Sequence, residues 1–155
     1  MSGRCRYPGV LLFVLLAGAP LARPAQAASS AGASSGPSVT PQAYVREKLA
    51  IWQQRLKLQD WKITVSMARA RDMKPKTLGN IHWDLETKTA AIHVLDPADY
   101  HMPFQAMLDD MEFTVVHELI HLTLAPLFST VPRNEASRRD EEHTVNSLAD
   151  ALLGR

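Results

Sequence analysis

The chain predicts an α+β fold in the order helix, three strands, helix, helix, with a small, mainly antiparallel three-stranded sheet packed on the helices. Three observations carry this. Residues 41–58 repeat apolar side chains at a 3.6-residue period. Residues 61–95 hold three short β-type runs separated by charged or turn segments. Residues 104–153 hold a helix that is apolar almost all round, followed by an amphipathic one.

Residues before 40 are expected to lie outside that domain. Arg4 and Arg6 form a positive n-region, Val10 to Ala17 a short apolar h-region, and Ala25-Gln26-Ala27 a cleavage site. Together they read as a secretory signal peptide, residues 1–27, which predicts export to the periplasm or the medium. The apolar run is too short to span a bilayer, so no stable membrane insertion is expected after cleavage. Cys5 is the only cysteine and falls within the signal peptide, so metal ligands in the mature chain must be His, Asp or Glu. Cleavage leaves 14 basic against 16 acidic residues, a net charge of −2 without a long basic run, which excludes nucleic acid as an expected partner. Residues 28–39, rich in Ala, Ser, Gly and Pro, read as a flexible spacer. A single domain is expected over residues 40–155.

Within it, Thr40-Pro41 marks a helix start, with Thr at the N-cap and Pro at the first helical position. Tyr44, Val45, Leu49, Trp52 and Leu56 form the core face of a helix running to about Leu58. Trp61 to Met67 alternates as a half-buried strand. A charged loop over 69–76 leads to a second strand, Leu78 to Trp83. The turn Asp84 to Thr89 joins it in a hairpin to a third, Ala90 to Leu95. After a loop through Pro103, a long helix is expected from Phe104 or Gln105 to Phe128, with Pro126 close to its end. The last helix runs from about Asn134 to Leu153, stopped by Gly154, with Val145, Leu148, Ala149, Leu152 and Leu153 as its buried face.

The long helix carries His117-Glu118-Leu119-Ile120-His121, an HExxH pattern. Positions i and i+4 share a helix face, so two imidazoles can bind one metal ion from the same side, and Glu118 sits beside them as a general base. The flanking segment, Phe113 to Leu124, is otherwise apolar apart from two Thr. Burying two His and a Glu there is costly without partners, and a metal ion removes that cost. The plainer alternative is a core helix with two hydrogen-bonded histidines.

A catalytic zinc site takes three protein ligands and leaves a position open. No third histidine follows closely, since residues 123–129 contain none, and the best source is Glu141-Glu142-His143 on the last helix. Helical spacing to Val145 and Ala149 ranks Glu142 ahead of Glu141 and His143, all three remaining open on the residues alone. Asn146, four residues after Glu142, is placed to accept from the second ring nitrogen of His117. Tyr100, His101 and His143 are candidates for a second electrophile. Thr114 lies near Glu118 on the helix wheel, as a support or as packing. His82 and His93 fall on strands and read as ordinary strand residues.

HELIH on a buried helix, followed about twenty residues later by Glu142-x-x-Val-Asn-x-Leu-Ala, resembles the gluzincin zinc metallopeptidases. It is most similar to their small minimal-zincin members of the ImmA/IrrE type, which carry a similar E-x-x-A-N-x-F-A helix. The resemblance covers roughly the last 50 residues and, more loosely, the hairpin before them. It implies a minimal zincin-like domain with one Zn2+, ligands His117, His121 and Glu142, and Glu118 as catalytic base. A zinc-activated water beside Glu118 predicts a protein or peptide substrate; in zincins an edge strand commonly lines the cleft, a role expected here of Ala90–Leu95. Two features depart from it: those relatives are usually cytoplasmic, and larger gluzincins have Asp where Asn146 stands. The function expected is thus a secreted or periplasmic metallopeptidase. The alternatives are a catalytically idle zincin-fold binding module, against which the retained Glu118 argues, and a structural periplasmic protein without metal.

Overall fold

The computed structural model describes residues 39–75 and 77–155. The expected signal peptide and nearly all of the expected spacer lie outside the described residues. The elements are α1 (Pro41–Arg55), β1 (Lys62–Ala68), β2 (Gly79–Asp84), β3 (Thr89–Leu95), α2 (Phe104–Phe128) and α3 (Glu135–Leu153). The α+β order of one helix, three strands and two helices is as the sequence predicts.

Thr40 caps α1 by accepting from the amide of Ala43 at 3.3 Å, and Pro41 opens the helix. Val45, Leu49 and Trp52 bury their side chains, with Tyr44 and Leu56 partly buried against the same core. The helix ends at Arg55, three residues earlier than expected. Lys57 adopts a left-handed φ of 58°, and the Gln53 amide donates to the carbonyls of Leu58 and Trp61, both at 2.9 Å. These contacts fold the chain into a turn before helical bonding can continue.

The sheet order is β1-β3-β2, with β1 parallel and β2 antiparallel to β3. The expectation of a mainly antiparallel sheet is therefore corrected: the sheet is mixed, and its middle strand is the last in sequence. The hairpin of β2 and β3 forms as expected. The reason for the order is composition. β3 buries Ala90, Ile92, Val94 and Leu95, whereas β1 carries Lys62, Thr64 and Ser66, and β2 carries Asn80, His82 and Asp84. Strands with one polar face suit the edges, and the most apolar strand takes the centre. The loop leaving β1 is held by Arg69, whose guanidinium donates to both Asp99 oxygens at 2.7 and 2.8 Å.

α2 spans the range the sequence predicts and lies against the sheet, α1 and α3. Met111, Val115, Val116 and Leu119 are fully enclosed. Glu112 joins α2 to α1, accepting from Trp52 Nε1 at 2.8 Å and the Tyr44 hydroxyl at 3.0 Å and pairing with Lys48 at 2.7 Å. α3 starts in a capping box made by Asn134 and Ser137 and ends at Gly154, with φ of 71°. Its buried face is narrower than predicted: Val145 and Ala149 are enclosed, but Leu148 and Leu152 are 41% and 45% exposed. α3 packs on α2, so a single i, i+4 stripe meets the core, and Glu141 extends that stripe one turn earlier.

Candidate metal centre

The site is built where α2 and α3 face each other beside β2. Buried packing at Val116, Leu119 and Ile120 fixes the rotation of α2, which leaves His117 and His121 pointing to one side. Their Nε2 atoms are 3.1 Å apart. Glu142 reaches across from α3, its two carboxylate oxygens 3.4 Å from the Nε2 of His117 and of His121. The outer ring nitrogens are both engaged. His117 Nδ1 lies 3.1 Å from Asn146 Oδ1, and His121 Nδ1 lies 3.0 Å from Glu141 Oε1.

This donor set fits a metal ion. A carboxylate oxygen and an amide oxygen only accept, so each imidazole carries its proton on Nδ1. Each Nε2 is then a bare lone pair, and the two face one another across 3.1 Å with a carboxylate as third neighbour. Three acceptors around one point repel unless a cation lies between them. Atoms sharing one tetrahedral ion at about 2.0–2.2 Å stand roughly 3.3–3.6 Å apart. The observed separations match that within a few tenths of an ångström. Residues His117, His121 and Glu142 could therefore hold a metal ion. Burial holds the His117 imidazole below its ordinary pKa, helped by the neighbouring His121, which keeps it neutral and able to ligate.

Glu118 is 6% exposed and opens on the same cleft. Burial, with the Glu142 carboxylate second, pushes its carboxyl up to about 8 in the protein alone. A cation beside it favours the ionised form and so acts against this rise. Gly79 of β2 abuts it: a Cβ at that position would lie 3.2 Å from Glu118 Oε1 and 2.3 Å from Thr114 Cγ2. The Thr114 hydroxyl is spent on the carbonyl of Asp110 at 3.0 Å, so Thr114 contributes packing at this point.

The cleft encloses about 800 Å³. Its lining includes apolar Ile81, Trp83 and Phe113 and polar Thr77, Lys74 and Arg133. Several expectations are corrected here. Tyr100 does not reach the cleft, because its hydroxyl donates to Asp110 at 2.9 Å and its ring packs on the core. His101 precedes α2 on an exposed loop, and His143 projects to solvent from α3; neither lines the cleft. The strand Ala90–Leu95 is hydrogen-bonded on both sides, and the open edge at the cleft is β2. Glu142 joins the two histidines as ranked, but it does so from an exposed position at the cleft, and the residue on the buried face is Glu141. His93 contacts Ser66 Oγ at 2.9 Å, and His82 lines the cleft's outer rim.

Arg133 and Gly79 were not legible as site residues. Arg133 sits in the turn between the last two helices, where no periodicity relates it to the motif. Gly79 gave only the weak signal of a glycine opening a strand. Arg133 donates to Glu141 Oε2, completing a line from Arg133 through Glu141 to His121. Among the described residues no helix is long and apolar enough to cross a membrane. Comparison with protein-family models, curated protein sequences and solved structures finds no match to this chain.

Proposed function

We propose that the chain is an exported zinc metallopeptidase, a small zincin of the gluzincin type, that hydrolyses peptide bonds with Glu118 as general base. The observation that carries this reading is the convergence of the His117 and His121 Nε2 atoms and Glu142 on one point, with a buried carboxyl one residue along α2. A zinc ion held there by His117, His121 and Glu142 would supply a Lewis acid for the substrate carbonyl and a water acidic enough to react near neutral pH. Glu118 accepts the proton from the attacking water and returns it to the departing amine, so that one carboxylate serves first as base and then as acid. Asn146 and Glu141 hold the two imidazoles in the tautomer that leaves Nε2 available.

The cleft supports an extended peptide as substrate. β2 offers an open strand edge beside Glu118, and addition of a peptide strand to such an edge is a general recognition mode. Ile81, Trp83 and Phe113 suit an apolar side chain. Export rests on the sequence of residues 1–27.

The test is elemental analysis of the purified protein beside Glu142→Ala, then peptide hydrolysis by wild type and Glu118→Gln. The expected result is about one zinc per wild-type chain, weakened binding in Glu142→Ala, and a ~10²–10⁴-fold loss of hydrolysis in Glu118→Gln with metal retained. Equal activity of Glu118→Gln and wild type would sink the mechanism. Absence of bound metal after zinc is supplied would sink the metal reading itself.

A further inference from the structure

His121 is the more enclosed of the two imidazoles, with a side chain 9% exposed, and its outer nitrogen bonds a carboxylate that is itself 5% exposed. Glu141 therefore has almost no contact with water. Its two oxygens are divided between His121 Nδ1 on one side and Arg133 Nη1 on the other. Arg133 is half exposed and belongs to the turn joining α2 to α3, ahead of the Asn134 cap. It is the one cation paired with Glu141 among the described residues.

We propose that Arg133 is a positioning residue for the metal centre: by pinning Glu141 it fixes the ring of His121, and so sets how tightly the site holds its metal. This rests on the metal-centre reading and adds to it a residue that acts on the metal through Glu141 and His121 rather than by ligating it. A buried carboxylate left without its cation loses more than the pair was worth, because nothing replaces the missing solvation. Without Arg133, Glu141 turns toward water, and His121 Nδ1 loses its acceptor. The ring is then free to rotate and to shift its proton to Nε2, where it would block the metal. Losing an outer partner of this kind typically weakens metal binding 10–100-fold. Repulsion between Arg133 and the metal acts the other way, but the guanidinium is half exposed and already neutralised by Glu141, so screening makes it the smaller effect. The proposal also couples the turn at 129–134 to the metal, since whatever draws Arg133 away loosens His121.

The experiment measures zinc affinity by chelator competition, and the visible spectrum of the cobalt(II)-loaded protein, for wild type, Arg133→Gln, Arg133→Lys and Glu112→Gln. Arg133→Gln is expected to lose about tenfold or more in zinc affinity and to alter the cobalt spectrum. Arg133→Lys keeps the charge and is expected to recover most of the affinity. Glu112→Gln breaks a tie between α1 and α2 and controls for loss of stability; it should leave both readouts as in wild type. The proposal is overturned if Arg133→Gln binds zinc within twofold of wild type or more tightly, or if Glu112→Gln lowers affinity as much. Wild type without zinc affinity overturns it together with the metal reading, whereas wild-type affinity unchanged in Arg133→Gln overturns it alone.

Discussion

Gly79 is where a single missing side chain lets two elements meet. Its position on β2 leaves only 2.3 Å between a would-be Cβ and the Thr114 methyl on α2, less than any real carbon contact. Thr114 is β-branched and helical, so its methyl cannot swing aside cheaply. Gly79→Ala should therefore push β2 off α2 and away from Glu118, costing about 1–3 kcal/mol. Thr114→Ser removes the offending methyl and keeps the hydroxyl bond to Asp110. Denaturant midpoints of the two single variants and the double variant check this: the double should recover at least half of the loss. A neutral Gly79→Ala, or a double variant no better than the single, would mean that the close approach is not what fixes the strand. Residue chemistry of this kind is nearly invisible in the sequence. The shared face of the HELIH histidines is legible in the sequence, because one helix sets it. Glu142, Asn146, Gly79 and Arg133 come to the same place only through how separate elements dock. Helical spacing ranks Glu142 first, and Glu142 does lie with the two histidines, although the core stripe that spacing describes belongs to Glu141.

The elements themselves were legible wherever one physical signal ruled. Thr40-Pro41 and Asn134 fixed helix starts, Gly154 fixed a helix end, and α2 declared itself by being apolar all round. The mixed sheet was not legible, since period-two alternation gives a strand and its faces but not its neighbours. The join between α1 and α2 shows what pattern alone leaves out: Glu112 is the shared acceptor for Tyr44, Lys48 and Trp52. Burial by itself would raise its pKa, but hydrogen bonds from Lys48, Trp52 and Tyr44 outweigh that and hold the carboxyl below its ordinary value of 4.5. A carboxyl depressed by folding stabilises the fold above its unfolded pKa, and that contribution is lost as pH falls through the folded value. Glu112→Gln should thus cost roughly 1–3 kcal/mol at pH 7. Its difference from wild type should shrink as pH drops below about 4.5, the ordinary value for this group. Urea unfolding of both proteins at pH 7 and pH 3.5 measures it. A gap that stays constant with pH would show that the carboxylate charge is not what ties the helices.

For the molecule as a whole, the core and the candidate metal centre divide the fold between them. α1, the sheet and most of α2 enclose the apolar cluster, and Glu112 adds a polar tie on that side. α3 contributes Val145 and Ala149 to the cluster, with Leu153 partly buried against it, and turns Glu141, Glu142 and Asn146 toward the two histidines. With metal bound, the two Nε2 atoms and Glu142 would close on a cation. With metal removed, two lone pairs and a carboxylate face each other, and opening the gap between α2 and α3 relieves them. A ligand that binds only the folded state stabilises it by about 2.7 kcal/mol at a free concentration of 100 times its Kd. Zinc should therefore raise the melting temperature by several degrees, and a chelator should reverse the gain. The distribution of the effect is the sharper test. Amide hydrogen exchange should rise on chelation in the turn at 129–134 and the first half of α3, while β3 and α1 remain protected. Exchange that rises evenly through the chain would place the metal's contribution in the core, and exchange that does not change would mean that α3 is held without it.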